Sequence, residues 1–194
     1  EAGVAHALLS EVNRPIAAPS ANTSGRISPT RAAHVADDLT GRIDGILDGG
    51  SCSVGLESTI LGLAGKPTLL RPGGVSLEDL SQVLGVDVLT RDEAAAISAP
   101  GQTKSHYAPR AKVRLNATDW QEGEARLGFG DVACDLNLSA TGDLREAAAN
   151  LFEFMHQLDA TGRDHIAVSP IPDAGLGLAI NDRLARAAAG RETR

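Results

Sequence analysis

The sequence predicts an α/β protein, on two observations. Short apolar runs bounded by Gly, Pro, Asn and Asp alternate with longer segments whose apolar residues recur every three or four positions, the pattern of strands alternating with helices. Hydrophobic residues fill 42% of the 194 positions, enough to bury the core of one large domain or two small ones.

The elements follow in order. AHALLSEVN (5–13) reads as the end of a helix that Pro15 stops, and IAA (16–18) as a short buried strand. TRAAHVADDL (30–39) reads as a helix capped by Ser28 or Thr30, with Val35 and Leu39 on one face. RIDGILDGG (42–50) is a strand closed by Gly-Gly. VGLESTILGL (54–63) and PTLLRPGG (67–74) are two strands around a turn at AGK. SLEDLSQVLG (76–85) is a helix with a Ser cap, Leu77, Leu80 and Leu84 on one side, and a Gly stop. Residues 86–110 hold Pro100, Gly101 and Pro109 and no sustained period, so they read as a long linker; such connections in compact proteins are often functional.

A second α/β unit follows. AKVRLN, ARLGFG and DVACDLNLS read as strands, and residues 142–163 as a helix with a stripe of Leu144, Ala148, Leu151, Met155 and Leu158. HIAVSPIP is a strand, and residues 175–190 form a terminal helix ending at Gly190. GLGLAIN lacks the third Gly of a nucleotide fingerprint and reads as helix–strand packing.

Composition removes several function classes. Aromatic residues make up 3%, too few for a base-stacking surface. The net charge of -7 disfavours non-specific nucleic-acid binding, though a local basic patch stays open. Cys52 and Cys134 show no metal-ligand spacing and read as free thiols of a reducing cytosol. No run of 18 apolar residues and no signal peptide is seen, so a cytoplasmic protein away from membranes is expected. The chain opens at Glu1 inside a helical pattern, which reads as a fragment or processed product.

Four stretches carry candidate chemistry. IAAPSANTSGRISPT (16–30) is dense in Ser, Asn, Thr, Gly and Pro. It is either a surface loop of turn residues, or a ligand loop at the C-terminal end of a strand, where hydroxyls, an amide and backbone N–H groups suit phosphate and ribose. If that backbone is extended, Ser20 and Asn22 point the same way. Glu57-Ser58-Thr59 interrupts an apolar strand with three polar residues that need partners, at an edge or on a ligand. Arg71 puts a forked cation at a strand end, for phosphate or for a local carboxylate. KSHYAPR (104–110) concentrates Lys104, His106, Tyr107 and Arg110 in the linker, as a tether or as something that closes over a site.

PIAAPSANTSGRISPT, RIDGILDGG, VGLESTI, LLRPGG and KSHYAP, in this order, resemble the YrdC-like threonylcarbamoyl-AMP synthases, and more narrowly their two-domain form. The resemblance covers essentially the whole chain. It implies part of a YrdC-like twisted mixed sheet over 1–85, a linker or lid over 86–111 and a small Rossmann-like domain over 112–194. The activity it implies is formation of threonylcarbamoyl-AMP and pyrophosphate from threonine, bicarbonate and ATP with Mg²⁺. A partner transferase then passes the threonylcarbamoyl group to tRNA, and tRNA itself is a further candidate partner.

The resemblance assigns Ser20, Asn22, Ser28, Arg71 and His106 to ATP, and Ser58 with the backbone of Ala18 to threonine. No nucleophile and no protein-bound metal are implied, since adenylation of this kind needs positioning and charge stabilisation rather than covalent help. The residues leave alternatives open: Ser28 as a helix cap, Asn22 as a left-handed turn residue. Tyr107 is expected to pack the linker down and Lys104 to neighbour a phosphate, while Asp48 suits a turn and His34, His156 and His165 read as structural or exposed. The family's Lys-x-Arg phosphate motif belongs to an N-terminal half of the catalytic domain that is not seen here, so this chain alone is expected to be inactive. Two competing readings are a non-catalytic RNA-binding protein and, ranked last, a carbamoyl-transfer domain of the hydrogenase-maturation type.

Overall fold

The computed structural model describes residues 3–92 and 97–190. The first part contains α1 (Gly3–Val12), α2 (Ala32–Leu39), β1 (Ile60–Gly62), β2 (Thr68–Arg71), α3 (Leu77–Leu84) and β3 (Leu89–Thr90). Its three strands form a mixed sheet in the order β1-β2-β3, with β1 and β2 antiparallel and β2 and β3 parallel. The second part contains β4 (Lys112–Arg114), β5 (Ala125–Gly128), β6 (Leu136–Asn137), α4 (Leu144–Ala160), β7 (His165–Val168) and α5 (Leu176–Ala188). Its four strands are all parallel, in the order β4-β7-β5-β6. The protein is thus α/β, with one mixed and one parallel sheet.

Local chemistry sets the helix ends. Ser76 caps α3 by accepting the Asp79 N–H, and Gly85 ends it at φ 66°, a left-handed conformation that glycine takes freely. Asp143 caps α4 by accepting the N–H groups of Arg145 and Glu146. The α4 stripe then buries Ala148, Leu151, Met155 and Leu158 against the parallel sheet, which needs such cover because its strands read apolar. On α5, an added Cβ at Gly177 would lie 1.8 Å from the Pro172 carbonyl oxygen, so GLGLAIN uses its glycine for close packing of helix on chain.

Several expectations change: of residues 54–63 only Ile60–Gly62 is strand, and within the linker Leu89–Thr90 forms β3, paired with β2. The stretches 16–18 and 42–50 are not strands: neither belongs to either sheet, and Ile16, Ile43, Ile46 and Leu47 are exposed. An apolar run becomes a strand only where a neighbour takes its backbone hydrogen bonds, and no described strand lies beside these two. Helix α2 is not capped by Ser28 or Thr30; Arg31 holds the cap position without a side-chain bond. Both hydroxyls donate elsewhere, Ser28 to Glu57 at 2.5 Å and Thr30 to Glu153 at 3.1 Å.

Segment 27–34 is clamped onto α4. Arg31 pairs with Glu153 at 2.6 Å, the His156 Nε2–H donates to the Ser28 carbonyl at 3.1 Å, and the His34 and His156 rings stack at 3.8 Å. Ile27 and Tyr107 enter the second unit's core from outside it. Linker residues 97–102 are held by side-chain hydrogen bonds rather than by periodicity. Gln102 is buried, accepts the Ser98 and Ala99 N–H groups and donates to the Leu70 carbonyl of β2. Among the described residues, no helix is long and apolar enough to cross a membrane.

Candidate functional site

The polar triplet Glu57-Ser58-Thr59 leads into β1, and each residue finds its partner in a different direction. Thr59 Oγ1 donates to the Val75 carbonyl and accepts the Val75 N–H. Ser58 meets the forked end of Arg71, which donates through Nε and Nη2 to the Ser58 carbonyl at 3.1 and 2.8 Å and through Nη2 to its hydroxyl at 3.2 Å. Arg71 also donates to the Pro100 carbonyl of the linker at 3.3 Å. Glu57 turns inward, where its Oε1 accepts the Ser28 hydroxyl and its Oε2 accepts Nε of Arg183 at 2.8 Å.

Gly73 permits this arrangement: a Cβ there would come within 2.4 Å of the Glu57 carbonyl oxygen and the Thr59 N. The PGG turn after β2 therefore lies directly on the triplet's backbone.

The linker closes the other side. Tyr107 is buried at φ 59°, a left-handed conformation disfavoured for an aromatic residue. Its ring packs on His106 at 4.1 Å, on Phe152 at 5.4 Å and under the Arg183 guanidinium at 5.1 Å. His106 N–H donates to the Arg186 carbonyl, and His106 Nδ1 is buried with no hydrogen-bond partner among the described residues.

Electrostatics follow from this packing. Burial alone would raise the Glu57 carboxyl, but the Arg183 charge and the Ser28 hydroxyl hold it below the usual carboxylate range. Burial lowers His106, and the cations Arg183, Arg186 and Arg71 add to it against the pull of Glu57, so the imidazole is neutral at neutral pH. Burial raises the Tyr107 hydroxyl above its ordinary value.

Ser28, Ser58, Arg71 and His106 therefore converge, linked through Glu57, Arg183 and Tyr107. Ser20 lines a cavity of 450 Å³ together with Ser28, Glu57, Cys52 and Val54. Asn22 does not face it. The Asn22 N–H donates to the Ser20 carbonyl at 2.9 Å, so the backbone is turned rather than extended and the two residues line different cavities. Asn22 lines a second cavity of 480 Å³ with Arg26, Arg31, His34, Asp38 and Arg110; its Nδ2 donates to the Thr23 and Arg26 carbonyls, and its Oδ1 is buried without a partner among the described residues. Nor is Asn22 left-handed. Ala18 is exposed on the extended approach to the loop. Lys104 is exposed and lines a third cavity with Arg186 and Asp182, while Asp48 accepts the Gly50 N–H as a turn residue.

Sequence reasoning left Glu57 and Arg183 without roles. The signal for Arg183 was present: it falls among Ala179, Ile180, Leu184 and Ala187 on the buried face of α5, where a charge requires a partner. Among the described residues no group of three His, Cys, Asp or Glu side chains could hold a metal ion.

Residues 75–189 match the family model described as "Threonylcarbamoyl-AMP synthase, C-terminal domain", and residues 1–73 match one described as "Telomere recombination". The chain is 40% identical to a threonylcarbamoyl-AMP synthase of Bacillus subtilis (strain 168), over 98% of this chain and 62% of that protein. It is 37% identical to one from Pyrococcus abyssi (strain GE5 / Orsay), over 97% of this chain and 62% of that protein. The chain thus spans about three fifths of these relatives' length. A solved structure, "Crystal structure of P. abyssi Sua5 complexed with L-threonine", superposes with a TM-score of 0.81 at 36% identity, covering 94% of this chain and 60% of that one.

Proposed function

The chain belongs to the threonylcarbamoyl-AMP synthase family, and on that premise we propose that the protein joins threonine, bicarbonate and ATP into threonylcarbamoyl-AMP. The observation that carries this reading is the convergence of Ser28, Ser58, Arg71 and His106, from four separate segments, beside the partly buried carboxylate of Glu57.

In the proposed reaction the threonine amine and bicarbonate give a carbamate and water. A carbamate oxygen attacks the α-phosphorus of ATP, an O–P bond forms, and the bond to pyrophosphate breaks. That makes the protein a nucleotidyltransferase. Such a step needs oriented reactants, charge near the phosphates and shelter from water more than a nucleophile. Arg71 supplies the permanent charge at the end of β2. His106, neutral and with Nδ1 unpartnered, supplies a hydrogen bond to nucleotide rather than a charge. Ser20 and Ser28 complete the ATP side with Asn22, and Ser58 with the Ala18 backbone takes threonine. The relative crystallised with L-threonine supports a threonine subsite in this fold. Free Cys52 and Cys134 agree with a cytoplasmic site of action, where a transferase partner and tRNA take the product onward.

The test is calorimetric titration of ATP, with Mg²⁺ and threonine present, into the full-length protein and its Ser28→Ala and His106→Ala variants. Each lost contact is expected to weaken binding roughly tenfold. A full-length protein that ignores ATP yet binds tRNA would replace the synthase reading with a non-catalytic RNA-binding one.

A further inference from the structure

Arg183 lies on α5 of the second unit, yet its guanidinium is spent almost entirely on the first unit and the linker. Its side chain is 0% exposed. Nε donates to Glu57 Oε2 at 2.8 Å, Nη2 to the Pro72 carbonyl at 2.9 Å and Nη1 to Asp182 at 2.5 Å. Its plane lies over the Tyr107 ring at 5.1 Å. Each residue it touches outside α5 is a chain neighbour of a candidate ligand-binding residue: Glu57 precedes Ser58, Pro72 follows Arg71, and Tyr107 follows His106. Through the other oxygen of Glu57, Arg183 also governs Ser28.

We propose that Arg183 is a positioning residue, the group through which the second unit sets the geometry of the ATP- and threonine-binding segments; this rests on the function proposed above. A fully buried charge is retained only when paired, and removing one partner leaves the other uncompensated. Here the uncompensated group would be Glu57, which then releases Ser28 on one side and draws Ser58 away from Arg71 on the other. The fork is specific to arginine, because one planar group bonds a carboxylate and a carbonyl in different segments while stacking on an aromatic ring. A lysine keeps the charge and loses the simultaneous reach. The left-handed backbone of Tyr107 is held by the same stack, so the linker's seat over the site also depends on Arg183.

The experiment uses the full-length protein and the variants Arg183→Lys, Arg183→Met, Glu57→Gln and the double Glu57→Gln/Arg183→Met. Threonine-dependent pyrophosphate release is measured at a temperature where circular dichroism shows each variant folded. A mere core staple lowers the unfolding temperature and leaves KM of the folded enzyme unchanged. Positioning instead raises KM for ATP and threonine in Arg183→Met by roughly tenfold to a hundredfold, because small displacements of binding groups are costly. Arg183→Lys recovers part of this loss. The double variant is no worse than Arg183→Met, since both changes act through one pair. KM values within about twofold of the wild type in folded Arg183→Met and Arg183→Lys overturn the proposal. If Arg183→Met does not fold, Arg183→Lys and Glu57→Gln, which preserve volume, decide by the same criterion. A wild type that releases no pyrophosphate overturns the function proposed above and this inference with it; an active wild type with kinetically silent variants overturns this inference alone.

Discussion

Acidification should unfasten the clamp between segment 27–34 and α4, and the stacked histidines give the size of the effect. His34 is 8% exposed and its ring lies 3.8 Å from that of His156, 24° from parallel. Burial lowers His34 to about 4; neighbouring His156 and Arg31 lower it too, against the pull of Glu153 and Asp37. His156 is likewise lowered by burial, although its bond to the Ser28 carbonyl and nearby Glu153 and Asp159 favour its charged form. In the unfolded chain both rings take a proton near 6.5. Between that value and about 4 the unfolded state therefore binds protons that the folded state refuses. Stability rises with pH wherever the unfolded state holds more protons, so it is full above about pH 7 and falls as the pH drops through this window. For His34 the shift from 6.5 to about 4 corresponds to roughly 3 kcal/mol. The assay is urea unfolding from about pH 7.5 down to about pH 4.5, on the wild type and on His34→Phe, which keeps a stackable ring without a titrating nitrogen. The wild type should lose stability over this range and His34→Phe should keep only the smaller His156 share. Parallel curves for the two proteins would refute the reasoning, because acid lability would then arise elsewhere.

Three further outcomes follow from packing. Gly177→Ala drives a methyl into the Pro172 carbonyl and should cost roughly 1–3 kcal/mol in urea unfolding, whereas an unchanged midpoint would mean that α5 does not press on that turn. Asp143→Ala strips α4 of its cap bonds to Arg145 and Glu146 and should cost about 1 kcal/mol by the same measurement, with no change if the helix starts elsewhere. Tyr107→Ala removes a fully buried ring from beneath Arg183 and should cost roughly 3–5 kcal/mol; a thermal midpoint equal to the wild type would show that the ring is not packed in solution.

By itself the sequence determined the local elements whose cause is local. The Ser76 cap, the Gly85 stop and the α4 stripe follow from side-chain chemistry and periodicity within a few turns of chain. Five motifs in a fixed order likewise resemble those of the family. Tertiary structure alone decided what depends on partners far along the chain. Residues 16–18 and 42–50 carry strand-like composition but pair with no strand among the described residues, so they stay out of both sheets. The Ser28 hydroxyl leaves the helix it could have capped for Glu57, a carboxylate 29 residues away, and Ser20 and Asn22 line different cavities on a loop turned by a backbone bond. Arg183 shows the division most clearly. Its place on an apolar helical face announced a buried charge, but the carboxylate that satisfies it lies 126 residues distant. Burying a charge demands a partner, and only the folded chain brings one within reach.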